Sequence, residues 1–168
     1  MHTHATLLHS FYDAFARRDA DTMCGCYNSR VEFSDPVFPG LRGPRAGAMW
    51  QMLCAAGKDL VVEHDRVEAD DHRGTAHWVA TYYFSATGRR VVNRIDASFE
   101  FAEGRVTRHT DRFDLWGWTR QALGPIGWVA GWAPPLQARI RKEAARGLDS
   151  WIEKRGLPRL GGAAPTGS

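Results

Sequence analysis

The sequence predicts an α+β fold, with its helices first and one long antiparallel meander after them. Three observations carry that prediction. Apolar residues recur at spacings of three and four through the first third of the chain, then switch to alternation. Four alternating runs follow one another, from "DLVVEHDRVEA" through "TAHWVATYYFS" and "RRVVNRIDASFEF" to "RVTRHTDRFDLW". The segments between them, "DDHRG", "ATGR" and "AEG", are short and carry turn chemistry, which joins neighbouring strands directly instead of through crossover helices.

The elements can be read in order. In "ATLLHSFYDAFARRD" the residues Leu7, Leu8, Phe11, Ala14 and Phe15 form one apolar stripe, so a helix runs to about Arg18. Asp19 or Asp21 suits the N-cap of a short second helix in "DADTMCGCY". "RVEFSDPVF" is a short strand interrupted by Pro36, "PGLRGPR" is a loop, and Pro44 opens a third helix through "RAGAMWQMLCAAG". The four strands follow. "GPIGWVAGWAPP", residues 124–135, is a Trp- and Gly-rich loop. A last helix over 136–155 puts Ile140, Ala144, Leu148, Trp151 and Ile152 on one stripe. The expected organisation is one domain over 1–135, an appended helix over 136–156, and a Gly/Pro-rich tail over 157–168 that reads as disordered.

The composition bounds the function. At 168 residues, 43% apolar and 24% charged, the chain suits a single globular domain. The net charge of +3 is concentrated after residue 134, where seven Lys and Arg face three Asp and Glu. A diffuse basic footprint is missing, so nucleic acid is not an expected partner. Three cysteines, Cys24, Cys26 and Cys54, make no disulfide framework, and no signal-peptide pattern opens the chain; the expected location is cytoplasmic. No apolar run is long enough to span a bilayer. Contact of the basic last helix with an anionic membrane surface is not the expected reading either, because Glu143, Asp149 and Glu153 dilute its charge.

The stretch "RHTDRFDLWGW" raises the functional question. Alternation puts Thr107, His109, Asp111, Phe113 and Leu115 on one face, and Arg108, Thr110, Arg112 and Asp114 on the other. The apolar face therefore carries an imidazole and a carboxylate. On the preceding strand the same rule puts Asn93, Ile95, Ala97, Phe99 and Phe101 inward and Asp96 outward, unless a bulge shifts the register.

Together, "FYDAFARRDADTM", "VEFSDPVFPGLRG" and "GRVTRHTDRFD" make the chain resemble the SnoaL-like branch of the nuclear transport factor 2-like superfamily over roughly residues 5–118. That branch holds ketosteroid isomerases, polyketide cyclases and limonene epoxide hydrolases. The resemblance implies a cone-shaped α+β barrel, in which N-terminal helices pack on a strongly curved antiparallel sheet around an apolar pocket. It also implies a homodimer. Asp35 matches the position of the isomerase general base. The tyrosine that donates into the isomerase oxyanion hole falls at Phe11, not Tyr12. Asp111 matches the final-strand aspartate used as acid or base in the cyclases and epoxide hydrolases. The Arg-x-Asp unit of the epoxide hydrolases is absent from "HWVATYY", and Arg94-Ile-Asp96 lies on a different strand.

Two functional readings stand side by side. In the first, a cofactor-independent enzyme acts on a small, largely apolar molecule by proton transfer beside a carbonyl, or by ring closure or opening. Asp111 is its acid/base, His109 the partner, and Asp35 and Asn93 orient polar groups. Trp50, Trp78, Tyr82, Phe113 and Phe11 form the walls. In the second, the same fold is a non-catalytic ligand-binding or dimerisation module, with His109 and Asp111 satisfying each other, Asp35 holding a turn and the aromatics packing a core. No metal is expected: "CGC" lacks a second pair at zinc spacing, and His109-x-Asp111 has no third ligand. No phosphate-binding loop or nucleophile elbow is present, so no cofactor is expected.

Overall fold

The computed structural model describes residues 1–161. Helix α1 (Thr3–Ala16) is followed by α2 (Ala20–Gly25), whose N-cap Asp19 accepts from the Thr22 amide at 3.1 Å. Strands β1 (Tyr27–Ser34) and β2 (Leu41–Arg42) precede α3 (Pro44–Ala56), where Pro44 occupies the first turn. The meander is β3 (Val61–Ala69), β4 (Arg73–Tyr83), β5 (Arg90–Ala102) and β6 (Arg105–Arg112). Three helices close the described chain: α4 (Leu115–Leu123), α5 (Pro125–Ala130) and α6 (Pro134–Arg155). The class is α+β.

The strand order is β2-β1-β6-β5-β4-β3, and the sheet is curled but not closed. The expected meander is present: β3, β4, β5 and β6 pair in succession, all antiparallel. The β5–β6 turn places Glu103 and Gly104 at φ 55° and 72°, the pair of positive angles that a two-residue hairpin loop needs. The sheet as a whole is mixed, however, not antiparallel, because β1 lies parallel to β6, with Phe33 beside His109. Local pattern cannot reveal that pairing, since the two strands are distant in sequence.

One face of the sheet receives α1 and α3. Leu8, Phe11, Tyr12 and Phe15 from α1 and Met49 and Trp50 from α3 are buried against Trp78, Ile95, Phe99 and Phe33. The periodicity of 3.6 on the helices meets the periodicity of 2 on the strands, and their shared apolar faces make a single core. Helix α6 lies along α3. Its Leu148 is fully buried, Trp151 and Ile152 pack on the core, and Arg45 pairs with Asp149 at 2.9 Å. The start of the expected tail continues this docking, for the Gly161 amide donates to the Cys24 carbonyl at 3.2 Å. Residues 162–168, the rest of that tail, lie outside the described residues. Among the described residues no helix is long and apolar enough to cross a membrane.

The segment after β6 differs from the expectation of a strand to Trp116 and a loop beyond Trp118. The strand stops at Arg112, and Leu115, Thr119 and Ala122 form the buried stripe of α4. Glycines that read as loop residues instead permit close helix contact: a Cβ on Gly127 or Gly131 would overlap Thr119. Because β6 ends opposite Asp96, residues 90–95 of β5 have β4 on one side and no strand on the other. Gln121 of α4 stands in for the missing strand. Its amide oxygen accepts from the Val92 N–H at 2.8 Å, and its amide nitrogen donates to the Val92 carbonyl at 3.1 Å.

The substitution Gly127→Ala is expected to destabilise the protein by about 1–3 kcal/mol, because the obstacle is backbone that cannot rotate away. Thermal melts beside Gly88→Ala are the check; Gly88 has open space around it, so its own cost reflects only the positive φ.

Candidate functional site

The alternation of β6 buries His109 completely and leaves Asp111 3% exposed, while Arg108 and Arg112 face solvent. A chain of hydrogen bonds runs through the pair. The Trp50 indole N–H donates to the Tyr27 hydroxyl at 2.8 Å, and Tyr27 Oη lies 2.7 Å from His109 Nδ1. His109 Nε2 lies 2.8 Å from Asp111 Oδ1, which also accepts from the Trp78 indole at 3.4 Å. An indole can only donate, so Nδ1 is the acceptor these contacts offer the buried Tyr27 proton. The imidazole proton is then on Nε2 and goes to the carboxylate. Every donor in the chain then finds an acceptor.

Aromatic rings surround this chain. Trp50 stacks on His109 at 5.9 Å, and the rings of Phe11, Phe33 and Phe99 lie within 5.6 Å of it. His109 thus touches protein on all sides and acts on anything else only through its neighbours. Asp111 differs. Its Oδ2 has no hydrogen bond among the described residues, and the carboxylate keeps 2% side-chain exposure.

A second carboxylate enters from β1. Asp35 lies just past that strand, and its Oδ1 accepts from the Val37 and Phe38 amides at 2.7 and 2.6 Å, an Asx turn braced by Pro36. Arg141 of α6 donates to the Pro36 carbonyl at 2.8 Å and so holds the turn from outside. Oδ2 of Asp35 has no partner among the described residues. Burial pushes the Asp35 carboxyl up to about 6, with a further push from the Asp111 charge that outweighs the pull of His109. The two turn amides work against this shift. Tyr82 adjoins the same region: burial raises its phenol, the indole of Trp118 donates to it at 2.7 Å and opposes that rise, and the Asp35 charge adds to it.

The structure therefore brings Asp111, His109, Trp50, Trp78 and Phe11 into one cluster, with Asp35 in the field of Asp111 and Tyr82 in the field of Asp35. Phe113 is half-buried against the same core. Asn93 stands apart. It makes no hydrogen bond to the cluster and lines a groove of about 670 Å³ between the free edge of β5 and α4. Asp96 points outward and pairs with His77 at 2.9 Å. No group of three or more His, Cys, Asp or Glu that could hold a metal occurs among the described residues.

Two tyrosines escaped the sequence reading. Tyr27 shares the alternation of Val31 and Phe33, but β1 begins three residues before the stretch expected as strand, and an irregular register separates Tyr27 from Glu32. Tyr12 lies one turn from Leu8 on the buried stripe of α1. Its hydroxyl is fully buried and has no hydrogen-bond partner among the described residues. Burial, and then the Asp111 charge, hold its phenol well above the ordinary range, so the hydroxyl lies in the field of that carboxylate.

The two tyrosines are expected to respond oppositely to loss of the hydroxyl. Tyr27→Phe strands the Trp50 N–H and His109 Nδ1, at roughly 1–3 kcal/mol for each group left unpaired. Tyr12→Phe removes a polar atom that bonds nothing, so stability is unchanged or rises by up to about 1 kcal/mol. Urea melts decide between these outcomes. Asp35 makes a pH prediction. Its folded pKa exceeds its unfolded value near 3.8, so the native state binds the extra proton, and stability falls as pH rises from about 4 to about 6. Asp35→Asn, which keeps an acceptor for the turn amides, should remove that part of the slope in melts across pH 4–7.

Comparison with known proteins follows from this geometry. Among solved structures the chain is similar to a candidate polyketide cyclase of Xanthomonas campestris pv. campestris, at 25% identity and TM-score 0.58, over 70% of this chain and 95% of that one. An LEH-like epoxide hydrolase of M. tuberculosis shares the fold at 21% identity and TM-score 0.59, over 76% and 93%. So does a ketosteroid isomerase-like protein of Catenulispora acidiphila in complex with trimethylamine, at 10% identity and TM-score 0.63, over 73% and 96%. No curated protein matches the sequence. Residues 8–109, more than half of the chain and the run from the middle of α1 to His109, match the SnoaL-like domain, and the protein belongs to that family.

Proposed function

We propose that the protein is a cofactor-independent acid/base enzyme, of isomerase, cyclase or hydrolase type, acting on a small and largely apolar molecule. One observation carries this reading: two carboxyl groups from neighbouring strands face one aromatic interior, and one of them is pushed to about 6 by burial and by the other's charge. A base with a pKa near the working pH combines a useful ionised fraction with enough basicity to take a proton from carbon. The likeness to a candidate polyketide cyclase at 25% identity supports the same class.

In this reading Asp35 takes a proton from a carbon beside a carbonyl through its free Oδ2. The electron pair moves onto the carbonyl oxygen, and the unpartnered Tyr12 hydroxyl donates a hydrogen bond to it. The protonated carboxyl then returns its proton to carbon, or the carbanion adds to a second carbonyl carbon of the same molecule, whose C=O π pair moves onto its oxygen and takes the carboxyl proton as the ring closes. Asp111 raises the basicity of Asp35 by its charge, and Oδ2 offers a second acceptor. His109 and Tyr27 are positioning residues that hold Asp111. Trp78, Tyr82 and Phe113 are the nearer walls, with Trp50 and Phe11 behind them.

The second reading, a binding module without catalysis, also has an observation in its favour. The chain from Trp50 to Asp111 satisfies its own hydrogen bonds, which is how a structural core network behaves.

Deuterium uptake from D2O into 2-tetralone, a small flat ketone with acidic α-hydrogens, tests the proposal by NMR. Wild type is expected to speed the exchange by about 10²-fold or more over buffer, with a rate that rises with pH through about 6. Asp35→Asn should lose most of that acceleration while remaining folded. Binding of the ketone without faster exchange would overturn the enzyme reading and leave the binding module.

A further inference from the structure

The groove beside α4 has a composition that the acid/base site does not use. Four arginines, Arg89, Arg90, Arg94 and Arg120, line it together with Trp118 and Trp128, against the single acid Asp114. The arginines fall into two pairs. Arg89 is fixed by protein, its Nε donating to the Gln121 carbonyl at 2.8 Å. Arg120 lies over the rings of Trp116 and Trp128 at 4.4 and 4.8 Å and reaches Asp114 at 3.6 Å. Arg90 and Arg94 are exposed, and the guanidinium of neither has a hydrogen bond or ion pair to protein among the described residues.

Such an arrangement is not ordinary surface. Two free guanidinium groups beside two fixed ones repel one another, and that repulsion is relieved by an anion that accepts from them. The ring faces of Trp118 and Trp128 supply apolar area next to the charge. A volume of about 670 Å³ falls in the range of small-molecule sites. The groove exists because β6 stops at Arg112 and α4 crosses the exposed edge of β5, so it is a concavity of the backbone and not a gap between side chains.

We propose that this groove is a second binding site, which takes the carboxylate or phosphate end of a ligand through Arg90 and Arg94 and lays its aromatic or aliphatic body on Trp118 and Trp128. The site stands independently of the acid/base reading. One of its walls, Trp118, donates to Tyr82 at 2.7 Å.

The alternative occupant is an anionic membrane surface. Ile126, Trp128, Val129 and Trp132 are exposed beside the groove, at 59–77% of their full area. The concavity favours the small molecule, since a groove of this volume can enclose a ligand body that a flat bilayer surface cannot fill.

Tryptophan-fluorescence titration with 2-naphthoate and with its uncharged methyl ester tests the proposal. Wild type is expected to bind the acid about tenfold tighter than the ester, and inorganic phosphate should weaken binding of the acid alone. In the double variant Arg90→Ala/Arg94→Ala the two affinities should converge to within about twofold, with the ester unaffected. Arg108→Ala, on the outer face of β6, should keep the full preference. Three results would overturn the proposal. The first is equal binding of acid and ester by wild type, and the second is a preference that survives the double variant. The third is sedimentation with phosphatidylglycerol vesicles that the double variant abolishes, in a protein that ignores naphthoate; that outcome makes the surface a membrane contact. None of these results depends on exchange catalysis, so the two proposals fail separately.

Discussion

An imidazole sealed from water must have both nitrogens satisfied by protein, and that requirement organises the centre of this fold. His109 meets it with one residue from β1 and one from its own strand. Tyr27 takes Nδ1, Asp111 takes Nε2, and the indoles of Trp50 and Trp78 close the two ends of the chain. These bonds tie β1, α3, β4 and β6 to one point. In a low-dielectric interior each is stronger than it would be at the surface, and each is costly to break singly. The parallel pairing of β1 with β6 sets Phe33 beside His109, and Trp50 stacks on the imidazole at the same point.

The same interior sets the electrostatics of the second carboxyl. Asp35 sits at the end of β1, where Pro36 forces the chain to turn and the turn amides occupy one carboxylate oxygen. Burial and the nearby Asp111 raise it, and the amides hold it back, so it settles at about 6 and not higher. Helix α6 contributes at a distance by bonding the Pro36 carbonyl through Arg141. The appended helix is thus part of what positions Asp35, besides burying Leu148 against the core.

The end of β6 governs the other side of the molecule. A strand two residues longer would have continued the ladder on β5. Instead α4 crosses there, Gln121 supplies the hydrogen bonds of the absent strand, and the close contact at Gly127 lets α5 fold back on Thr119. This detour makes the arginine-lined groove and places Trp118 between it and Tyr82.

By itself the sequence determined the fold class and most of the elements. The helical stripe of α1, the N1 proline of α3 and the alternation through β3–β6 are local periodicities, and burial follows them except where the register shifts, near Arg66 in β3 and at Val106, which is buried where alternation pointed Thr107 inward. Alternation alone also turned His109 and Asp111 inward and Asp96 outward. Tertiary structure decided the rest. That Tyr27 meets His109, and that β1 runs parallel to β6, depend on pairing between residues some eighty positions apart, which no local pattern encodes. The raised pKa of Asp35 depends on burial that only assembly provides, and then on a charge on another strand. Gly127 and Gly131 read as loop because glycine is a poor helix former, but close packing against Thr119 selects glycine inside α5 and at its C-cap. Periodicity records which way a side chain points; only the assembled chain decides what it meets there.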